Sequence, residues 1–456
     1  LRRVHVRELF ARDPQRVDAF TFEACGLVVD LSRQLLDRES LELLLALAQA
    51  QDVAGWRDRM LAGERINTTE DRPVLHVALR DPEGPALMVD GTDIRAGIRR
   101  ELARMQEFCA GVHTGRLRGA TGERFCSVLH LGIGGSELGP RAVCEALRPE
   151  ADCGMEVRFV ANVDPQDLAL ALAGLDPART LVIVASKSFS TQETLLNAQA
   201  ARAWLVAALG EHAVGEHFVA VSSRLDRVRA FGIREERSFA FGDWVGGRFS
   251  LWSPVGLPIA LFAGFDRFRQ LLAGAREMDV HFATAPAECN LPLLLGLLDV
   301  WCSNFLGADS RVVVPYDESL RWLPLHLQQL EMESNGKSTR RDGSPVCYPT
   351  GLCVWGATGS PSQHAWFQLL HQGTRLLPVE ILVAAESRVP ETDARQLALL
   401  AHALAQSRAL AFGRTREETR RALTAEGLAG EQLETLLPYR LFAGNRPTTV
   451  ILTRRF

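Results

Sequence analysis

A chain of 456 residues with 47% hydrophobic and 23% charged side chains can bury large cores, which excludes the disordered and fibrous classes. Its 51 Lys and Arg nearly balance 55 Asp and Glu and no block of five like charges occurs, so the expected partner is a small molecule, not nucleic acid or an anionic membrane. The longest apolar runs, 257–265 and 291–298, fall far short of the roughly 20 residues that span a bilayer, no signal peptide opens the chain, and nine cysteines without a Cys-x-x-Cys pair suit a reduced, cytoplasmic protein free of structural zinc.

The first ninety residues read mainly as amphipathic helix, with an apolar run over 41–50 and a mixed segment over 52–61. From about Phe125 the pattern changes to short apolar runs at 128–133, 157–160, 181–185 and 218–221, separated by helical segments. Such runs are strands buried on both faces, hence a parallel sheet between helices. A second series follows after Trp252, with strands at 312–314, 352–355 and 379–385 among helices at 291–305, 365–371 and 394–412. The expected class is therefore α/β with two mainly parallel sheets, and the expected division is one domain over 96–261 and another over 1–95 plus 262–456. The chain opens at Leu1 and stops at Phe456 directly after the strand-like run 448–453, and both ends look clipped.

The strongest local signal is Gly132-Ile133-Gly134-Gly135-Ser136-Glu137, where a buried strand ends and a helix begins. Glycines there let backbone approach a ligand, and the N–H groups at a helix start favour an anion. Glu137 stands where the dinucleotide fingerprint needs Gly, and no Gly-Lys-Ser/Thr follows, so neither common nucleotide loop is present. A plain strand-to-helix turn is the alternative. The third strand ends in Ser186-Lys187-Ser188-Phe189-Ser190-Thr191 before a helical run at 192–209. Ser190 with Glu193 fits a capping box, yet one cap does not need four hydroxyls. If the first and third strands are neighbours, both loops open at the carboxyl edge of the sheet and together make a phosphate cradle, with Lys187 as point charge.

Further on, Gln329 and Glu333 share a helix face while Glu331 turns away from Glu333, and Gly336 suits a left-handed helix cap. One carboxylate beside a neutral amide suits removal of a carbon-bound proton next to a carbonyl; a solvated acidic helix end is the plainer alternative. Arg248, after Gly246 and Gly247, is placed to stabilise an enediolate, unless it is simply a surface arginine in a turn. His364 at a helix start is a candidate for moving a proton between ring and hydroxyl oxygens, with His371 on the same face as its competitor. No His-Glu-x-x-His pattern or close His/Cys/carboxylate set points to a metal, and no cofactor is expected.

Taken in this order, with Gly63-Glu64-Arg65-Ile66-Asn67-Thr68-Thr69-Glu70 and Gly444-Asn445-Arg446-Pro447 in support, these motifs resemble those of the phosphoglucose isomerases, also called glucose-6-phosphate isomerases, over essentially the whole chain. The resemblance implies two αβα sandwich domains of the sugar isomerase (SIS) type, a homodimer, and reversible isomerisation of glucose 6-phosphate to fructose 6-phosphate through a cis-enediol, a reaction of glycolysis and gluconeogenesis. It implies that Gly135, Ser136, Ser186, Lys187, Ser188 and Thr191 hold the phosphate and that Glu333 is the base. Arg248 then stabilises the intermediate, Gln329 contacts substrate, and His364, supplied by the neighbouring subunit, opens the ring. Ser188 and Ser190 stand where Thr is commoner, which keeps the hydroxyl. Members of the family also carry a C-terminal Gln-Trp-Gly-Val-Glu-Leu-Gly-Lys segment whose lysine serves ring opening; no such segment occurs here, and truncation or disorder is the expected reason.

Two rivals are a non-catalytic sugar-phosphate sensor and an isomerase for another hexose phosphate. A sensor needs the cradle but not Glu333, Arg248 and His364 together, and the number of matching motifs disfavours a different sugar. A nucleotide-dependent dehydrogenase is the weakest, given the imperfect glycine pattern.

Overall fold

The computed structural model describes residues 4–151, 153–389 and 393–456. Contacts divide it into two units, one of Leu1–Val53 with Val280–Phe456 and one of Ala54–Asp279. Along the chain the strands are β1 (Thr21–Ala24), β2 (Leu27–Arg33), β3 (Met88–Val89), β4 (Thr92–Asp93), β5 (Ser127–Leu131), β6 (Glu156–Val160), β7 (Thr180–Ala185), β8 (Phe218–Val221), β9 (Ser238–Phe239), β10 (Ser310–Tyr316), β11 (Cys353–Gly356), β12 (Val379–Ala384) and β13 (Thr448–Thr453).

The 54–279 unit holds a five-stranded sheet in the order β6-β5-β7-β8-β9, with every neighbouring pair parallel. Alternate residues serve opposite faces. Val128, Leu181, Ile183, Val219 and Val221 enter one core with the helix Leu257–Ala263, while Leu129, Leu131, Val182, Val184 and Ala220 enter a second with Ala198, Ala201 and Leu205 of the helix Gln192–Leu209. Each buried Val, Leu or Ile contributes about 1.5–3 kcal/mol of transfer free energy, and cores on both faces explain why these strands are continuously apolar.

The other unit holds a six-stranded sheet, β1-β2-β13-β12-β10-β11. Its β13, β12, β10 and β11 pair in parallel, and β2 runs antiparallel to both β13 and β1. Again two cores flank the sheet, one with Val29, Leu31 and Ile451, the other with Val312, Val314, Ile381, Val383 and Val450. The α/β class with mainly parallel sheets is thus as the residue pattern required.

Two features differ from expectation. The first ninety residues are not mainly helical: β1 and β2 form a hairpin whose two-residue turn, Cys25-Gly26, has φ of 52° and 74°, the left-handed pair that matches strand twist. The units also divide elsewhere than at residues 95 and 262. Residues 54–95 pack with the all-parallel sheet, where Leu75, Ala78 and Leu79 share a core with Ile94, Ile98 and Val245 and Leu75 N–H donates to the Trp244 carbonyl at 3.1 Å. The helix Phe265–Thr284 belongs to the same unit as far as Asp279, which the Arg80 fork grips at 2.5 and 2.6 Å.

Candidate active site

Strand β5 lies between β6 and β7, so the chain leaves β5 toward one side of the sheet and returns to the other. At such a switch point the loops after β5 and β7 emerge side by side at the carboxyl edge, the usual crevice of open α/β sheets. After β5, Gly134 takes φ +61° and opens the tight turn Gly134–Ser136, and the helix Leu138–Ala146 follows. Below the turn, His130 is fully buried with its Nε2 2.7 Å from the Ser136 carbonyl, so that nitrogen carries the proton and donates. Burial pushes His130 down to about 4, which keeps the ring neutral.

After β7, the helix Gln192–Leu209 has Thr191 as its N-cap, and no side chain caps it. The capping box expected at Ser190 is therefore not formed. Ser190 Oγ donates to Ser188 Oγ at 2.7 Å, and Ser186 Oγ to Thr191 Oγ1 at 3.3 Å. Phe189 is buried at φ +45° and folds the loop back so that Ser188 and Ser190 stay exposed. Hydroxyls unused by the helix are available to an anion. Lys187 Nζ donates to the carbonyls of Asp243 and Val245, both at 3.1 Å, and lies 3.3 Å from Asp243 Oδ1. In this state it ties down the neighbouring loop.

That loop carries Arg248. A Cβ on Gly135 would overlap the Gly247 carbonyl and fall 2.6 Å from Arg248 N, so the two backbones touch only because position 135 is glycine. The Arg248 guanidinium lies 5.3 Å from the Phe249 ring centroid, and Phe249 stacks on His76 at 4.7 Å. Burial pushes His76 down to about 3, so this support is uncharged. Gly135, Ser136, Ser186, Lys187, Ser188, Thr191 and Arg248 accordingly belong to adjoining loops of one unit.

Gln329, Glu333 and His364 belong to the other unit. Gln329 and Glu333 lie on the π-helical turn Gln329–Glu333, and Gln329 Nε2 donates to Glu333 Oε2 at 3.0 Å. Glu333 is exposed, whereas Glu331 turns inward to Arg311 at 2.5 Å. Gly336 does not take the left-handed conformation expected of it; its N–H donates to the Met332 carbonyl at 2.8 Å, an approach that a side chain would obstruct. His364 is exposed on the short helix Gly359–Ala365. Its competitor His371 is half-buried with Nε2 2.9 Å from Gln406 Oε1, and burial lowers its basicity, a structural assignment.

His130 within β5 and Arg311 beside the apolar run of β10 are polar residues in buried strands, the one local signal the sequence carries for them. Among the described residues no group of three His, Cys, Asp or Glu is placed to hold a metal ion, and no helix is long and apolar enough to cross a membrane.

The family model described as phosphoglucose isomerase matches residues 30–456. The chain is 52% identical over 458 residues to glucose-6-phosphate isomerase 3 of Rhodococcus jostii (strain RHA1), covering 99% of this chain and 82% of that protein. It is 49% identical over 447 residues to the glucose-6-phosphate isomerase of Brucella ovis, covering 98% and 81%. Among solved structures, a glucose-6-phosphate isomerase from Chlamydia trachomatis D/UW-3/Cx matches with a TM-score of 0.85 at 30% identity, over 99% of this chain and 84% of that one. The chain belongs to the phosphoglucose isomerase family.

Proposed function

We propose that this protein is an aldose-ketose isomerase that interconverts glucose 6-phosphate and fructose 6-phosphate, the step shared by glycolysis and gluconeogenesis. The observation that carries the reading is the pair of hydroxyl-bearing loops at the carboxyl ends of β5 and β7, whose side chains do not cap the helix that follows. In this reading Ser136, Ser186, Ser188 and Thr191, with Lys187, hold the phosphate, and backbone N–H of the Gly135 turn adds to the cradle. The Glu333 carboxylate takes the proton from C2 of the open-chain aldose, the C2–H electron pair forms the C1–C2 double bond, and the C1–O1 π pair moves onto O1 to give the anion of a cis-enediol. Arg248 offsets the negative charge that develops on oxygen. Once a proton has moved between O2 and O1, Glu333 returns its own to C1 and the ketose forms. Gln329, bonded to Glu333 Oε2, orients that carboxylate.

A homodimer in which His364 is supplied across the subunit interface, to open the sugar ring, fits its exposure on the chain surface. A cytoplasmic setting fits a chain whose nine cysteines include no Cys-x-x-Cys pair. The test is a coupled assay from fructose 6-phosphate, with and without chelator, on the wild type and Glu333→Gln. The variant keeps shape but loses the proton carrier, so turnover falls by roughly 10²–10⁴-fold while affinity for inorganic phosphate as inhibitor is retained. Near-normal turnover refutes the base assignment.

A further inference from the structure

Arg311, near the start of β10, is a guanidinium only 12% exposed that meets three carboxylates. Its Nη1 donates to both oxygens of Asp299 at 2.9 and 2.8 Å. Nη2 donates to Glu331 Oε1 at 2.5 Å, and Nε lies 3.5 Å from Glu380 Oε2. Asp299 closes the helix Leu291–Val300, Glu380 belongs to β12, and Glu331 sits in the π-helical turn that carries Gln329 and Glu333. One side chain therefore joins a helix, two strands and that turn.

Burial raises the carboxyls of Asp299 and Glu331 against the pull of Arg311, so the cluster is held together at an electrostatic cost. A buried ionic cluster is a poor way to gain stability, and its placement points to another use. Residues two apart in a π- or α-helical turn project to nearly opposite sides. Drawing Glu331 inward thus fixes the rotation of the turn and, with it, the outward direction of Glu333. On the far side, Lys337 Nζ donates to the Glu333 carbonyl at 2.6 Å and closes the end of the turn.

We propose that Arg311, acting through Glu331, is a positioning residue for the isomerisation: it sets the rotation of the Gln329–Glu333 turn and so the aim of the Glu333 carboxylate, while Asp299 and Glu380 hold the guanidinium in place. The proposal rests on Glu333 being the base. Misplacing a reacting group by about 1 Å costs on the order of 10²-fold in rate, whereas phosphate binding by the other loops does not depend on this turn.

The test compares Glu331→Leu, Glu331→Gln and Arg311→Lys with the wild type in the coupled assay from fructose 6-phosphate, with inorganic phosphate as competitive inhibitor and thermal melting as a check on folding. Glu331→Leu and Arg311→Lys are expected to lose roughly 10- to 100-fold in kcat with the phosphate inhibition constant within about twofold of wild type. Glu331→Gln still offers Arg311 an oxygen and retains more activity than Glu331→Leu. The proposal is overturned if kcat stays within about twofold of wild type in the variants that fold, or if kcat falls only in proportion to lost folded protein. Should the first two variants fail to fold, Glu331→Ala, which removes the carboxylate without adding bulk, is judged by the same criterion. Glu333→Gln is run in parallel: an inactive Glu333→Gln with unimpaired Glu331 variants sinks only the positioning role, whereas an active Glu333→Gln sinks the base assignment on which it rests.

Discussion

Gly135 and Gly247 meet backbone to backbone, with no room for a methyl group on the former. A Cβ at 135 would press on the Gly247 carbonyl and the Arg248 amide, neither of which can rotate away, whereas a Cβ at 247 meets nothing within 4 Å. Gly135→Ala is therefore expected to cost about 1–3 kcal/mol of stability and to displace Arg248, with a loss of kcat. Gly247→Ala is expected to change stability by no more than about 0.5 kcal/mol. Melting temperatures of the two variants side by side check this, and equal values contradict the close approach.

The hydroxyls of Ser188 and Thr191 give a second separation of roles. Because no side chain caps the helix Gln192–Leu209, Ser188→Ala and Thr191→Ala should leave the melting temperature nearly unchanged. A hydrogen bond to a charged group contributes about 1.5–3 kcal/mol, so each variant is expected to raise the Michaelis constant roughly tenfold or more while kcat changes little. An unchanged Michaelis constant with a lowered melting temperature would return both residues to a structural role.

Subunit sharing of the site is open to a mixing experiment. If His364 acts on the neighbouring protomer's substrate, Glu333→Gln and His364→Ala subunits, each nearly inactive alone, form one intact site per mixed dimer. Random reassortment at equal amounts then restores roughly one quarter of wild-type activity, because half the dimers are mixed and each has one working site of two. No recovery after verified subunit exchange would place His364 and Glu333 of one protomer in the same site, or His364 outside it.

Buried neutral histidines weaken the fold as the pH falls. Burial pushes His76 to about 3, and His130 and His326 each to about 4, from 6.5 in the unfolded chain. Between those values the unfolded state binds the extra protons. The stabilisation is thus complete above pH 6.5 and declines as pH falls toward 4, by about 1.4 kcal/mol per pH unit for each histidine. Melting temperature should fall between pH 6.5 and 4.5, and fall less steeply in His130→Gln, whose side-chain amide still donates to the Ser136 carbonyl. Parallel slopes for the two proteins would contradict a buried, neutral His130.

By itself the sequence determined the strand set and the chemical inventory. A parallel strand with cores on both faces has to be continuously apolar, so runs such as 181–185 announce themselves, and glycine-rich or hydroxyl-rich loops after them are local signals of the same kind. Only the tertiary structure decided what meets what. It made β5 and β7 neighbours, joined the Cys25-Gly26 hairpin to β13, sent Lys187 to the 243–245 carbonyls and gathered Asp299, Glu331 and Glu380 around Arg311. Periodicity records the local backbone geometry and burial of a segment, whereas the partner of a strand edge or a buried charge is fixed by satisfying polar groups from distant parts of the chain at once, which no short window of residues contains.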